Sequence, residues 1–172
     1  MSNLNLDNLR TILSEIFFAV DVRADNLKYI VPKQGNWYNP QDNTADMIAT
    51  WIGYNIPDRR SIIRPRSVVV EDTVENVVNE IVTIDLQFIG TDAEAAALSV
   101  MHWNSRADVQ EALAVVSGQP LDESVRVIQS IYKQEGFNTT YAYNVKRRIV
   151  CANTQSTVAS LLQHVYIAGN VT

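Results

Sequence analysis

An alternating run of eleven residues, Asn79 to Ile89, constrains the fold more than any other part of this sequence. Its apolar members Val82, Ile84, Leu86 and Phe88 alternate with the polar residues Thr83, Asp85 and Gln87. A period of two is typical of a β-strand with one buried face and one solvated face. At about 3.3 Å per residue, such a strand spans roughly 35 Å. The run therefore predicts an antiparallel sheet covered on one side.

Three segments predict helices that cover this sheet. Apolar residues from Leu6 to Val20 recur at helical spacing. The pattern Thr91–Glu94 is typical of a capping box and predicts a helix through Trp103, and Ser105–Asp108 repeats it before a second helix, 107–116. We predict an α+β fold: a mostly antiparallel twisted sheet packed on one side by two or three helices, with long hairpin extensions. A single domain covers residues 1–172.

The remaining segments predict further strands and one cationic loop. Residues 27–31 and 47–56 are rich in β-branched and aromatic residues and predict strands. Residues 57–66 carry two prolines and four arginines and predict an exposed loop. Residues 123–133 and 139–150 predict a hairpin joined by the loop 134–138, and Val165–Ile167 predicts a closing strand.

Composition argues against several classes of protein. With 47% hydrophobic and 19% charged residues, the chain predicts a globular domain. A net charge of −5 argues against a dedicated nucleic-acid binder, which usually presents a strongly basic face. The single cysteine, Cys151, allows no intramolecular disulfide. The N-terminal residues lack the pattern of a signal peptide and no apolar run suits a membrane span, so we expect synthesis in the cytoplasm and no membrane partner.

The sequence predicts neither catalysis nor a cofactor. It contains no G-x-S-x-G elbow, no Walker A motif and no G-x-G-x-x-G motif, and its six glycines are scattered singly. His102 and His164 have no second ligand at helical spacing, so we interpret them as structural. Cys151 is interpreted as a small buried hydrophobic residue. The carboxylates Asp7, Asp21 and Asp25 match no cation-binding loop and are interpreted as solvated turn residues.

Two basic clusters and an aromatic pair remain as candidate contacts with a partner or with DNA. The clusters are Arg59, Arg60, Arg64 and Arg66, and Lys146, Arg147 and Arg148. A charge run is most often only a solvated face, but a ring of such loops could line a DNA channel or bind an acidic neighbour. Trp37 and Tyr38 lie in a polar segment, where they either fold back on the domain or anchor an interface.

The order of elements carries a resemblance to a known family. A strand ends at Phe88–Gly90, a helix opens at Asp92-Ala93, and a short helix at Arg106–Leu113 precedes the hairpin between Val125 and Val150. In this order the chain resembles the tail terminator, or tail completion, proteins of the tailed-phage neck. The resemblance covers residues from roughly 5 to 170.

This resemblance implies a structural virion protein without enzymatic activity. Copies would form a ring, expected to be a homohexamer, that caps the tail tube, ends its polymerisation and docks the tail to the head-side connector. Other expected neighbours are the sheath of a contractile tail and DNA that passes through the lumen without sequence-specific contacts. Three alternatives stay open: another neck or head-completion ring protein, a monomeric protein-binding module, and a small enzyme with an unrecognised site.

Overall fold

A computed structural model describes residues 3–34, 37–38, 49–62, 66–70 and 73–158 of the chain. Its α-helices are α1 (Leu6–Phe17), α2 (Arg23–Asn26), α3 (Ala93–Ser99) and α4 (Ala107–Ala114). Short 3-10 helices lie at Val20–Val22, Leu27–Tyr29 and Val100–Ser105. The strands are β1 (Ile30–Pro32), β2 (Trp51–Ser61), β3 (Arg66–Val70), β4 (Thr73–Ile89), β5 (Gln119–Pro120), β6 (Val127–Glu135) and β7 (Asn138–Val158). No helix within the described ranges is long and apolar enough to cross a membrane.

The described strands form one sheet in the order β1-β2-β4-β7-β5. β2 and β3 pair with the same edge of β4, one after the other. In the same way, β5 and β6 pair with different parts of the outer edge of β7. Every pairing is antiparallel except that of β1 with β2. The α+β prediction is confirmed, and β4 extends the predicted strand to 17 residues.

The main core lies between one face of this sheet and helices α1, α3 and α4. The predicted alternation is confirmed, because Val82, Ile84, Leu86 and Phe88 are all fully buried. Their helical neighbours in the core are Leu9, Ile12, Leu13, Ala97, Val109 and Leu113. Asn5 begins α1: its side-chain oxygen accepts a hydrogen bond from the N–H of Asn8 at 2.8 Å, which satisfies one of the free donors of the first turn.

The predicted loop at residues 57–66 is wrong over its first part. β2 continues through Pro57 to Ser61 and pairs with β4 as far as Glu80. A register shift between Asn55 and Asp58 leaves Pro57 outside the regular pairing, so its missing N–H removes no bond from the ladder. The bulge therefore allows a strand where the proline predicted a break.

Several local predictions also change. Neither predicted capping box is present: the N-cap residues Asp92 and Arg106 make no side-chain cap bond. The helix expected through Trp103 changes to 3-10 geometry after Ser99, and residues 27–29 form a 3-10 helix before the short strand β1. β2 is described from Trp51, and the closing strand predicted at residues 165–167 lies outside the described residues.

Candidate interaction surfaces

A three-stranded arm extends the sheet beyond its helices. It comprises β3, residues 73–79 of β4 and residues 152–158 of β7, held by one continuous β4–β7 ladder that runs from Thr73↔Val158 to Phe88↔Tyr143. No side chain from Thr73 to Ile81 is buried, whereas Val82, Ile84 and all four residues from Leu86 to Ile89 are buried. Val69 on β3 is 69% exposed. Among the described residues, the arm therefore has no apolar backing like that of the domain.

Besides the β4–β7 ladder, side-chain hydrogen bonds tie the arm to the domain. The Asn3 side-chain oxygen accepts the N–H of Thr154 at 2.9 Å, and the Asn3 amide donates to the Thr154 carbonyl at 3.3 Å. Glu80 accepts a bond from the Asn153 amide at 3.0 Å and pairs with Arg59 at 3.3 Å. These contacts fix the base of the arm.

Arg59 and Arg60 occupy opposite faces of β2 and form no shared cationic patch. Arg59 lies on the core side, where it also donates to the carbonyl of Leu4, so its role in this structure is to hold the N-terminal segment. Arg60 is exposed on the other face. Arg64 lies outside the described residues, and for Arg66 only its backbone pairing with Val77 is described.

A shallow groove of about 610 Å³ lies beside Lys146 and Arg148, next to the segment that connects β5 to β6. Lys146 is exposed and Arg148 is partly exposed. The Arg148 guanidinium contacts the Glu123 carboxylate at 2.5 Å, and its backbone N–H donates to the same carboxylate at 3.0 Å. Arg126 adds an exposed cation to the groove.

Arg147, predicted to contact a partner from the surface, is instead buried in the single chain. Its side chain is 1% exposed, and its Nε and Nη2 atoms have no hydrogen-bond partner among the described residues. Burial lowers the pKa of the guanidinium, with Glu123 and Asp122 acting in the opposite direction. The sequence held the signal: a period of two places Arg147 on the same face as the buried Val145 and Ile149.

Trp37 and Tyr38 fold back on the outer face, which we define as the sheet face opposite the main core. The Trp37 indole N–H donates to Gln87 Oε1 at 2.7 Å, and Gln87 in turn donates to Asn144 Oδ1 at 2.7 Å. Tyr38 is 7% exposed and packs between Trp51 and Tyr132, and burial raises its pKa. The first alternative from the sequence, folding back on the domain, is the one observed.

A tip hairpin, formed by β6 and residues 138–145 of β7, carries apolar side chains into solvent. Gly136 turns the chain with a φ of +60°, which suits a residue without a Cβ atom. Phe137 next to it is fully exposed. Ile128, Ile131 and Tyr141 are 61%, 60% and 48% exposed. Ile131 and Tyr141 pair on the core-side face of the hairpin, whereas Ile128 pairs with Asn144 on the outer face. An exposed apolar tip flanked by such a pair is typical of an interface.

An aromatic pocket of about 480 Å³ lies at the opposite margin of the sheet. Its apolar lining comes from the end of α1, the segment before β1, β2 and α3, through Phe17, Phe18, Tyr29, Ile52 and Ala96. Asn26, Thr50 and Asp92 supply its polar groups. Sequence reasoning missed this pocket, because its residues are far apart in the chain and only the fold brings them together.

The residues considered for chemistry do not converge. His102 is exposed on a 3-10 helix, and His164 lies outside the described residues. Cys151 is 2% exposed, and burial raises the pKa of its thiol to about 11, as expected for the predicted small buried residue. Within the described ranges, no three His, Cys, Asp or Glu residues gather in a way that could hold a metal ion.

No protein-family model and no curated protein matches the chain.

Proposed function

We propose that this chain is a structural protein of the tailed-phage neck, a ring subunit that caps the tail tube, ends its polymerisation and docks the tail to the head-side connector. The observation that carries this proposal is the arm. It supports a role in assembly, since the chain orders three strands beyond the helices that cover the rest of the sheet.

The exposure of the arm favours a protein partner. A small sheet needs an apolar backing to be stable in water, and residues 73–81 of β4 lack buried side chains. The outer edge of β3 pairs with no described strand, and unpaired edges are templates for strand addition by another chain. A cyclic ring covers such surfaces by repeating one contact between identical copies.

The charges favour protein contacts over tight DNA binding. Of the candidate cations, Arg60 and Lys146 are exposed without a described ion pair, whereas Arg59 and Arg148 are engaged with carboxylates. With a net charge of −5, the chain suits a lumen through which DNA slides without being held. The proposed partners are further copies of this chain, the tube protein, the connector and, in a contractile tail, the sheath; no cofactor takes part.

The test is assembly on tail tubes. We expect the purified protein, mixed with tube protein and imaged by electron microscopy, to form a ring at one end of each tube and to limit further tube growth. Val69→Lys should prevent ring formation, because it places a charge on the exposed β3 edge. Val115→Lys is the matched control, since Val115 is 53% exposed at the end of α4 and far from the arm in the chain.

A monomeric protein-binding module is the second candidate, and the groove beside Lys146 favours it. Native mass spectrometry separates the two functions. A mass of one subunit that persists in the presence of tubes, with no density at tube ends, would contradict the ring and favour the binding module.

A further inference from the structure

We infer that neighbouring copies dock flank to flank, with the tip hairpin of one copy entering the aromatic pocket of the next. The occupant of the pocket is thus a second copy of this chain, and Phe137 is its anchor. This inference rests on the proposed ring and names the contact that would close it.

The two surfaces lie on opposite margins of the sheet. The strand order places β1 and β2 at one margin and β6 at the other. The pocket is built around the start of β2, and the tip hairpin is the outer part of β6 and β7. Pairing of Ile52 with Phe88 and of Phe88 with Tyr143 puts both surfaces toward the end of the sheet remote from the arm.

The apolar parts of the two surfaces complement each other. Phe137 and the Ile131–Tyr141 pair project from the hairpin, whereas the pocket is concave and lined by aromatic rings. A volume of about 480 Å³ is within the range of pockets that hold small organic groups, so a benzyl side chain fits. Aromatic side chains seated in pockets commonly dominate the binding energy of an interface.

The balance of exposed charge differs between the two margins. Near the pocket, the exposed carboxylates Asp21, Asp25 and Asp92 outnumber the exposed cation Lys28, whose Nζ lies 4.9 Å from the centre of the Tyr29 ring. At the base of the hairpin, the exposed cations Arg126 and Lys146 outnumber the exposed carboxylate Asp122. Such complementary charge beside an apolar contact steers association and helps to select the partner.

This contact joins two different surfaces and is therefore heterologous. A heterologous contact repeats from copy to copy and closes into a ring when the rotation between copies divides a full turn. An isologous dimer would instead pair one surface with its own copy. Because the pocket and the hairpin lie on opposite margins, such a dimer would leave at least one of these two surfaces uncovered on each copy. The arrangement of one projection and one cavity on opposite margins agrees with a cyclic assembly.

Disulfide trapping between two tagged chains tests this contact. One chain carries Asn138→Cys, next to Phe137 on the hairpin, and the other carries Asn26→Cys in the pocket wall. The native Cys151 is buried and stays unreactive. After mixing with tail tubes and mild oxidation, we expect a mixed dimer of the two tagged chains. The matched control replaces Asn26→Cys with Glu111→Cys, an exposed position on α4, and should give no mixed dimer.

A second variant measures the anchor itself. Phe137→Ser should weaken ring assembly about 30-fold or more, as for an interface hot spot. Its free energy of unfolding should match that of the wild type, because the ring of Phe137 is fully exposed in the single chain. Phe137→Tyr keeps the aromatic anchor and should retain assembly.

The outcomes separate this inference from the proposed function. Rings with the mixed dimer support both. Rings that form without it, or that form equally well with Phe137→Ser, overturn the docking contact and leave the ring function standing. If no ring forms from the wild-type chain with or without tubes, both are refuted.

Discussion

Replacement of Arg147 by Met tests the energetic account of the core. The side chain lies on the core face of β7 with two nitrogen atoms unpaired. Each buried polar group left without a partner costs about 1–3 kcal/mol, and apolar replacements of buried ions are often neutral or stabilising by about 1–4 kcal/mol. Met has a similar length and fills the same space without a charge. We therefore expect Arg147→Met to raise the free energy of unfolding by about 1–3 kcal/mol.

Urea unfolding followed by tryptophan fluorescence measures this change. With a slope of about 2 kcal/mol per M, the midpoint should rise by about 0.5–1.5 M. Arg148→Met provides the neighbouring control. Arg148 is paired with Glu123 near the surface, so its loss should lower the free energy of unfolding by at most about 1 kcal/mol.

The opposite result would refute the reasoning. If Arg147→Met lowers the free energy of unfolding by about 3 kcal/mol or more, Arg147 forms a buried ion pair that the protein needs, with Glu123 or Asp122 as its partner. If Arg147→Met is more stable than the wild type but no longer assembles into rings, Arg147 instead contributes to the contact between subunits.

Three further predictions concern the outer face, the thiol and the base of the arm. Gly53→Ala should lower the free energy of unfolding by about 1–3 kcal/mol and shift tryptophan fluorescence, because the new Cβ would lie 2.5 Å from the ring of Trp37; an unchanged spectrum would contradict this. Since burial raises the pKa of Cys151 to about 11, the thiol should resist alkylation in the folded state at pH 8, and the stability that its neutral form contributes below pH 9 should decline as the pH rises through 11. Arg59→Met should speed hydrogen exchange in α1 and lower the free energy of unfolding by about 1 kcal/mol, whereas Arg60→Met should change it by less than about 0.5 kcal/mol; equal effects would argue against the role of Arg59 in holding the N-terminal segment.

Local pattern predicted the sheet well because β4 is buried on one face along much of its length. The same rule placed Val145 and Ile149 correctly, and it also applies to Arg147, whose charge alone suggested exposure. Residue type and period gave opposite answers there, and the period was right. When the residues two positions before and after a strand residue are both buried, the position of that residue predicts its burial better than its polarity does.

Long-range contacts decided what local pattern missed. Pro57 predicts the end of a strand, but pairing with β4 continues past it because a bulge removes it from the ladder. The aromatic pocket depends on helices and strands that are distant in sequence. The placement of Trp37 on its own sheet depends on Gln87, fifty residues later, which no local pattern could link to it.

Once a neighbouring chain covers the arm, the unbroken β4–β7 ladder lets it act as a lever. Seventeen residues of β4 span about 55 Å at the usual rise, and no register shift divides the part that lies over the core from the part that projects. A tilt of the domain by about 5° would move the far end of the arm by roughly 2 Å, taking about 25 Å as the length that projects. A neighbour bound to that end would be displaced whenever the subunit rotates. Small rotations of the subunit would therefore become displacements large enough to form or break hydrogen bonds.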